Sequence, residues 1–200
     1  MHEPFEKFIS EALGPSTVLI TCGLPGTWKT ETAEVISELL GYPILRTDLI
    51  RLEVLKNEDI FDEKVASNMD KRKLVYDEMF RQADEQAKKG SGVILDATFV
   101  TQELRLRAAA VAAKNNNMFV IMQTSCPQEV SIKRILRRTK ENYESNALTE
   151  QAYLNNKKKF EPVDLGDLKS RHPNLKILHF IVDTTVDERE KWVVVDKLIS

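Results

Sequence analysis

Apolar and polar residues along this chain follow two alternating rhythms. Short, nearly unbroken apolar runs occupy 17–22 (TVLITC), 42–47 (YPILRT), 92–96 (GVILD), 118–124 (MFVIMQT) and 176–182 (KILHFIV). Runs of that length without a polar face predict strands covered on both sides, as in a parallel sheet. Between them the apolar positions recur at helical spacing. Helices are expected over 28–40, closed by Gly41; over 71–89, closed by Gly90; and over 101–114, closed by Asn115, Asn116 and Asn117. Three more are expected over 127–139, opened by Pro127; over 149–160, opened by Thr149; and over 186–199. Phe5, Phe8, Ile9, Ala12 and Leu13 form an apolar stripe on an N-terminal helix.

Five strands alternating with helices predict an α/β fold: one doubly wound, five-stranded parallel sheet in a single domain spanning 1–200. Two stretches break the alternation, about 49–70 and 139–150. Excursions beside strand ends are where open α/β sheets carry ligand contacts. The first is read as the acceptor side of a site and the second as its helical lid.

Composition narrows the functional classes. The 200 residues are 42% hydrophobic and 30% charged, with a formal net charge of -2. Such a balance is globular, and its bulk charge calls for neither a polynucleotide track nor an anionic membrane. No apolar run approaches the roughly 20 residues of a membrane span. The first residues, MHEPFEKFISEALGPS, carry acids where a secretory leader needs basic residues and an apolar run, so a cytoplasmic location is expected. Cys22 and Cys126 are too few for a zinc framework, and the three histidines show no ligand spacing. The two cysteines are read as separate thiols, with a regulatory disulfide as the alternative.

The first strand runs straight into Gly23-Leu-Pro-Gly-Thr-Trp-Lys-Thr30. This octamer fits the phosphate-loop pattern G-x-x-x-x-G-K-[ST] at Gly23, Lys29 and Thr30, and it opens a helix as that pattern requires. Gly23, Leu24, Pro25, Gly26, Thr27, Trp28, Lys29 and Thr30 are the expected ATP-binding loop. Its amides and Lys29 would hold phosphate, and the Thr30 hydroxyl would face magnesium. Trp28 stands where glycine is usual. The indole either points away from the phosphates or narrows their pocket.

Three further groups fall at strand ends. RTDLIR places Asp48 and Arg51 three residues apart, on one helical face. Asp48 could act as a general base and Arg51 as a ligand for an acceptor phosphate, or the two could form an ordinary capping pair. VILDATF ends its strand on Asp96, a magnesium-organising carboxylate or a cap, with Thr98 in support. KRILRRTK brings Arg134, Arg137 and Arg138 to one helical face, as transition-state arginines or a solvated basic surface. Residues 131–171 hold ten Lys or Arg against six Asp or Glu, so positive charge gathers around the expected lid.

With these residues in view, the chain resembles the P-loop kinase group that includes polynucleotide 5′-kinases and zeta-toxin-like kinases. The resemblance covers about 16–185 and rests on GLPGTWKT, RTDLIR, VYDEMF through KKGSGVILDATF, and CPQEV through RILRR to KKFEP. It implies strand order 2-3-1-4-5 and magnesium-dependent transfer of the ATP γ-phosphate to a hydroxyl of a small molecule or a nucleic-acid 5′ end. By the same resemblance Lys29, Asp48, Arg134, Arg137 and Arg138 are catalytic. Asp48 and Arg51 bind the acceptor, and Thr30 and Asp96 serve the metal. No guanine-reading NKxD signature follows the fourth strand, which disfavours a GTPase. A module that binds ATP without transferring phosphate, acting through a partner protein, is the alternative that Trp28 suggests.

Overall fold

A computed structural model describes residues 2–57, 68–138 and 147–200. The polypeptide runs β1 (Glu3–Pro4), α1 (Phe5–Ala12), β2 (Thr17–Cys22), α2 (Lys29–Leu40), β3 (Ile44–Arg46) and α3 (Thr47–Val54). It continues through α4 (Met69–Ala87), β4 (Val93–Asp96), α5 (Gln102–Lys114), β5 (Met118–Ser125) and α6 (Gln128–Leu136). It ends with α7 (Glu150–Lys159), α8 (Leu165–Arg171), β6 (Ile177–Asp183), a short 3-10 turn (Arg189–Lys191) and β7 (Val193–Ile199).

The sheet order is β1-β7-β6-β5-β2-β4-β3. The five strands legible in the sequence are β2 to β6. They are mutually parallel and stand in the order the resemblance implied. Among the described residues the expected five-stranded sheet is nonetheless seven-stranded, because β7 and β1 add an antiparallel edge beside β6.

β7 corrects the helix expected over 186–199. Trp192 and Val194 are buried in alternation with partly covered Val193 and Val195, and three consecutive valines suit a pleated edge better than a helix. The helix α8 went unread in the sequence. Asp164 opens it by accepting a hydrogen bond from the Asp167 amide at 2.9 Å. Other boundaries move by one to three residues; the helix expected over 127–139 stops at Leu136. Residues 58–67 of the excursion at 49–70 and residues 139–146 of the lid at 139–150 lie outside the described residues.

Apolar side chains fill both faces of the sheet. On one face α3, α4, α5 and α8 bury Ile50, Met79, Phe80, Ala109 and Leu168 against Val18, Ile20, Leu95 and Ile121. On the other, α1 and α2 bury Phe5, Phe8, Ile9 and Ile36 against Leu19, Ile94, Val120 and Phe180. With both faces covered, the strand ends at Cys22, Arg46, Asp96 and Ser125 are left to form the site.

Candidate active site

The loop between β2 and α2 needs backbone conformations that ordinary residues avoid, at Gly23, Gly26 and Trp28. Gly26 has φ +80°, and a Cβ there would stand 2.6 Å from the Ser131 carbonyl oxygen of α6. Only glycine lets the loop approach α6 so closely. Two residues on, Trp28 has φ 58° and ψ 35°, in the left-handed region. The glycine usual at this position would adopt that geometry without strain, whereas an L-residue there costs about 1–3 kcal/mol.

Contacts of the indole offset that strain. Trp28 Nε1 donates to Asp187 Oδ1 at 3.2 Å, and the Arg134 guanidinium lies 4.7 Å from the ring centroid. The ring is therefore drawn toward α6 and the segment after β6. Trp28, Arg134, Arg137, Arg138 and Asp187 line a cleft of about 130 Å³ there.

The remainder of the loop is pinned from neighbouring strands. The Gly23 amide donates to the Thr98 carbonyl at 3.3 Å. Thr27 Oγ1 meets Thr124 Oγ1 at 2.6 Å, and Thr184 Oγ1 donates to the Thr27 carbonyl at 3.0 Å. Lys29 Nζ donates to the Leu24 carbonyl at 2.7 Å, across the loop. Burial lowers the Lys29 pKa to about 8; Asp96 partly counters this and Arg138 adds to it. Arg138 therefore lies within electrostatic reach of the lysine.

Asp96, at the end of β4, is the hub. Its Oδ2 accepts from Thr30 Oγ1 at 2.6 Å and its Oδ1 from Thr21 Oγ1 at 3.0 Å. Arg46 Nε lies 3.9 Å from Oδ2. One carboxylate beside one hydroxyl at a helix start is a hard-oxygen donor set. It suits a small divalent cation whose remaining ligands are water and phosphate. Among the described residues no cluster of three His, Cys, Asp or Glu could hold a metal by protein ligands alone. Magnesium shared with a nucleotide fits this set; a self-contained metal centre does not.

Asp48 stands in the first turn of α3, directly after β3. Arg51 Nη1 donates to its Oδ1 at 2.9 Å. Burial raises the Asp48 pKa, Arg51 lowers it, and the charge of Asp96 raises it further. The carboxyl is thus more basic than an exposed aspartate, and the two acids belong to one electrostatic neighbourhood. Tyr76 of α4, which sequence reasoning missed, shares it. Its hydroxyl is buried and hydrogen-bonded to Thr98, within the fields of Arg72, Arg51 and Asp48.

The three arginines do not share one environment. Arg134 is 5% exposed and fully engaged. It donates to the carbonyls of Gly26 (3.2 Å), Thr184 (2.7 Å), Thr185 (3.1 Å) and Val186 (3.3 Å), and through Nε and Nη2 to Asp187 Oδ1 (3.0 and 2.8 Å). Arg137 and Arg138 follow α6 at the cleft. Asp187 was missed because it falls in the stretch read as a helix.

Both cysteines are free. Cys22 is buried, with its thiol 3.8 Å from the Phe99 carbonyl, and burial pushes its pKa up. Cys126 Sγ lies 3.1 Å from Ser131 Oγ and 3.9 Å from the Gly26 carbonyl, behind the loop. No described helix is long and apolar enough to cross a membrane.

Comparison with known proteins agrees with the fold. The AAA_33 family model, described as an AAA domain, matches residues 18–163. The uncharacterized protein Rv2004c of Mycobacterium tuberculosis is 30% identical over 131 residues. That alignment covers 62% of this chain and 26% of the relative, so the chain matches about a quarter of that protein's length. A putative kinase from Chloroflexus aurantiacus superposes with a TM-score of 0.62 at 16% identity, covering 84% of this chain and 88% of the other. A gluconokinase from Sinorhizobium meliloti gives a TM-score of 0.54 at 18% identity, covering 86% and 84%. The fold is that of the P-loop kinases.

Proposed function

We propose, from the premise that this chain belongs to the AAA_33 family of AAA domains, that it is an ATP- and magnesium-dependent phosphotransferase. The acceptor would be a hydroxyl of a small molecule or of a nucleic-acid 5′ end. The observation that carries the reading is the convergence on Asp96. The phosphate loop reaches its carboxylate through Thr30, while Arg46 and Asp48 approach from the end of β3. A nucleotide on one side and an acceptor on the other would meet there.

Each residue then has a chemical task. Loop amides and Lys29 bind the phosphates. Thr30 and Asp96 would hold magnesium, which when bound neutralises charge on the phosphates. Asp48, made more basic by burial, orients the acceptor hydroxyl and takes its proton. Oxygen attacks the γ-phosphorus, the bond to the β-phosphate oxygen breaks, and ADP leaves. Arg51 holds Asp48 in place and offers its remaining donors to the acceptor. Arg137 and Arg138 face the transferring phosphoryl group, and Arg134 positions the loop behind them.

A second reading, nucleotide binding without transfer and output through a partner protein, draws on Trp28. Its strained backbone and its ties to Arg134 and Asp187 distinguish this loop from one with glycine there. Transfer of label from γ-labelled ATP across 5′-hydroxyl oligonucleotides, nucleosides, sugars and small alcohols separates the two. The kinase reading expects label on at least one acceptor class and none with Asp96→Asn. Tight ATP binding without transfer across the panel would favour the second reading, and failure to bind ATP would remove both.

Lys29 adds a pH test. Its ammonium titrates at about 8 in the free protein, and a bound triphosphate raises that value. Binding then takes up a proton between the two values. ATP affinity should therefore hold steady below about pH 8 and fall above it, toward about tenfold per pH unit. Calorimetric titration across this range checks it. Lys29→Arg stays charged throughout and should flatten the curve. A flat wild-type profile would place Lys29 away from the phosphates.

A further inference from the structure

The proposed function gives Arg137 and Arg138 of the cleft beside the phosphate loop a phosphoryl group to face, and leaves the part of the cleft between Trp28 and Asp187 without a ligand. Its wall is the indole of Trp28, set by three independent constraints: a left-handed backbone, a hydrogen bond from Nε1 to Asp187, and the Arg134 guanidinium over the ring. A side chain so held is a preorganised aromatic surface. It precedes Lys29 by one residue, so the cleft adjoins the phosphate cradle directly.

Charge and shape describe what fits. Three arginines and one aspartate line the cleft, which favours an anionic molecule. Its volume of about 130 Å³ is well below that of a site enclosing a whole ligand, so it receives only part of one, and its one aromatic wall offers that part a flat face. Trp28 and Arg134 both donate to Oδ1 of Asp187, and Oδ2 takes part in neither bond. A carboxylate oxygen accepts hydrogen bonds only, so it selects a ring edge that carries donors.

We propose that Trp28 is the stacking platform for the nucleobase of the bound nucleotide and that Asp187 reads an exocyclic amino group on that base. This rests on the phosphate-loop reading above and adds base specificity to it. The residue that breaks the glycine pattern is then a specificity determinant rather than a defect. The strain at Trp28 is balanced by Arg134 and Asp187, which also shape the cleft.

The test compares ATP, UTP and inorganic tripolyphosphate, with magnesium, by calorimetric titration of the wild-type protein, Trp28→Gly, Trp28→Phe and Asp187→Asn. Base–aromatic stacking predicts that wild type binds ATP about 5- to 100-fold more tightly than tripolyphosphate. Trp28→Gly should bring the ratio of ATP to tripolyphosphate affinity close to one, and it is this ratio within each variant, not the tripolyphosphate affinity itself, that reads the base contact. Trp28→Phe, which keeps a π face, should retain much of the preference, and it carries the test if the glycine variant does not fold. Asp187→Asn should bring ATP and UTP closer together.

An unchanged or higher ratio in Trp28→Gly would overturn the proposal, since the indole would then be a bystander or an obstruction. Equal affinity of wild type for ATP and tripolyphosphate would also overturn it while leaving the phosphate-loop reading intact. Failure of wild type to bind either would instead remove the phosphate-loop reading on which it rests.

Discussion

Asp48→Asn is expected to lower turnover by about 10²- to 10⁴-fold while ATP affinity changes little. The amide preserves the size of the side chain and can still accept from Arg51, so the 2.9 Å contact has a substitute. What it loses is the ability to take a proton. Burial has already made the Asp48 carboxyl more basic, and that gain disappears with it. A general base acts on the chemical step, so the loss belongs in kcat and not in nucleotide binding. The measurement pairs steady-state transfer to the best acceptor with calorimetric ATP titration. Equal losses in turnover and ATP affinity would assign Asp48 to the nucleotide side and end its role as the base.

The largest expected stability effect lies at Arg134. Its guanidinium is almost wholly buried and joins Gly26 of the phosphate loop to Thr184, Thr185, Val186 and Asp187 after β6. Truncation to alanine removes this donor from the carbonyls of Gly26, Thr184 and Thr185, while Val186 keeps the Trp192 indole N–H at 3.0 Å, and it takes away the cation over the Trp28 ring. The Asp187 side chain is 59% exposed, so water compensates for that partner and the ion pair itself contributes little. The carbonyls are the greater loss, with about 1–3 kcal/mol at stake for each buried group left unpaired. Arg134→Ala is therefore expected to cost about 3 kcal/mol in all, or roughly 6–12 °C in Tm for a chain of this size. Arg137→Ala, at the open cleft, should shift Tm by only about 1 °C and reveal itself in turnover. Thermal denaturation of the two variants checks the contrast. Equal Tm values would mean that Arg134 is not the clamp its contacts describe.

These two results would divide residues that looked alike in the sequence. Arg134, Arg137 and Arg138 share one helical face by spacing, and spacing cannot say which guanidinium turns inward. Arg134 is buried because residues 184–186, some fifty positions away, present carbonyl oxygens to it. Asp48 and Asp96 look independent along the chain, and only the parallel pairing of β3 with β4 brings them into one field. Tyr76 and Asp187 carry no motif at all.

The sequence alone determined the five parallel strands, most of the helices between them, the phosphate loop, and the acids and arginines at strand ends. These are written in local patterns, because burial on both faces demands continuous apolar strands and a phosphate cradle demands its glycines and lysine close together. Tertiary structure decided the antiparallel edge of β1 and β7, the different environments of the three arginines, and the setting of Trp28. Strand addition at an edge depends on a partner distant in sequence, and β7 acquires its own from β6. Trp28 can hold a left-handed backbone because Arg134 and Asp187 come from elsewhere to receive the indole. That balance between local strain and distant contact exists only once the chain has folded.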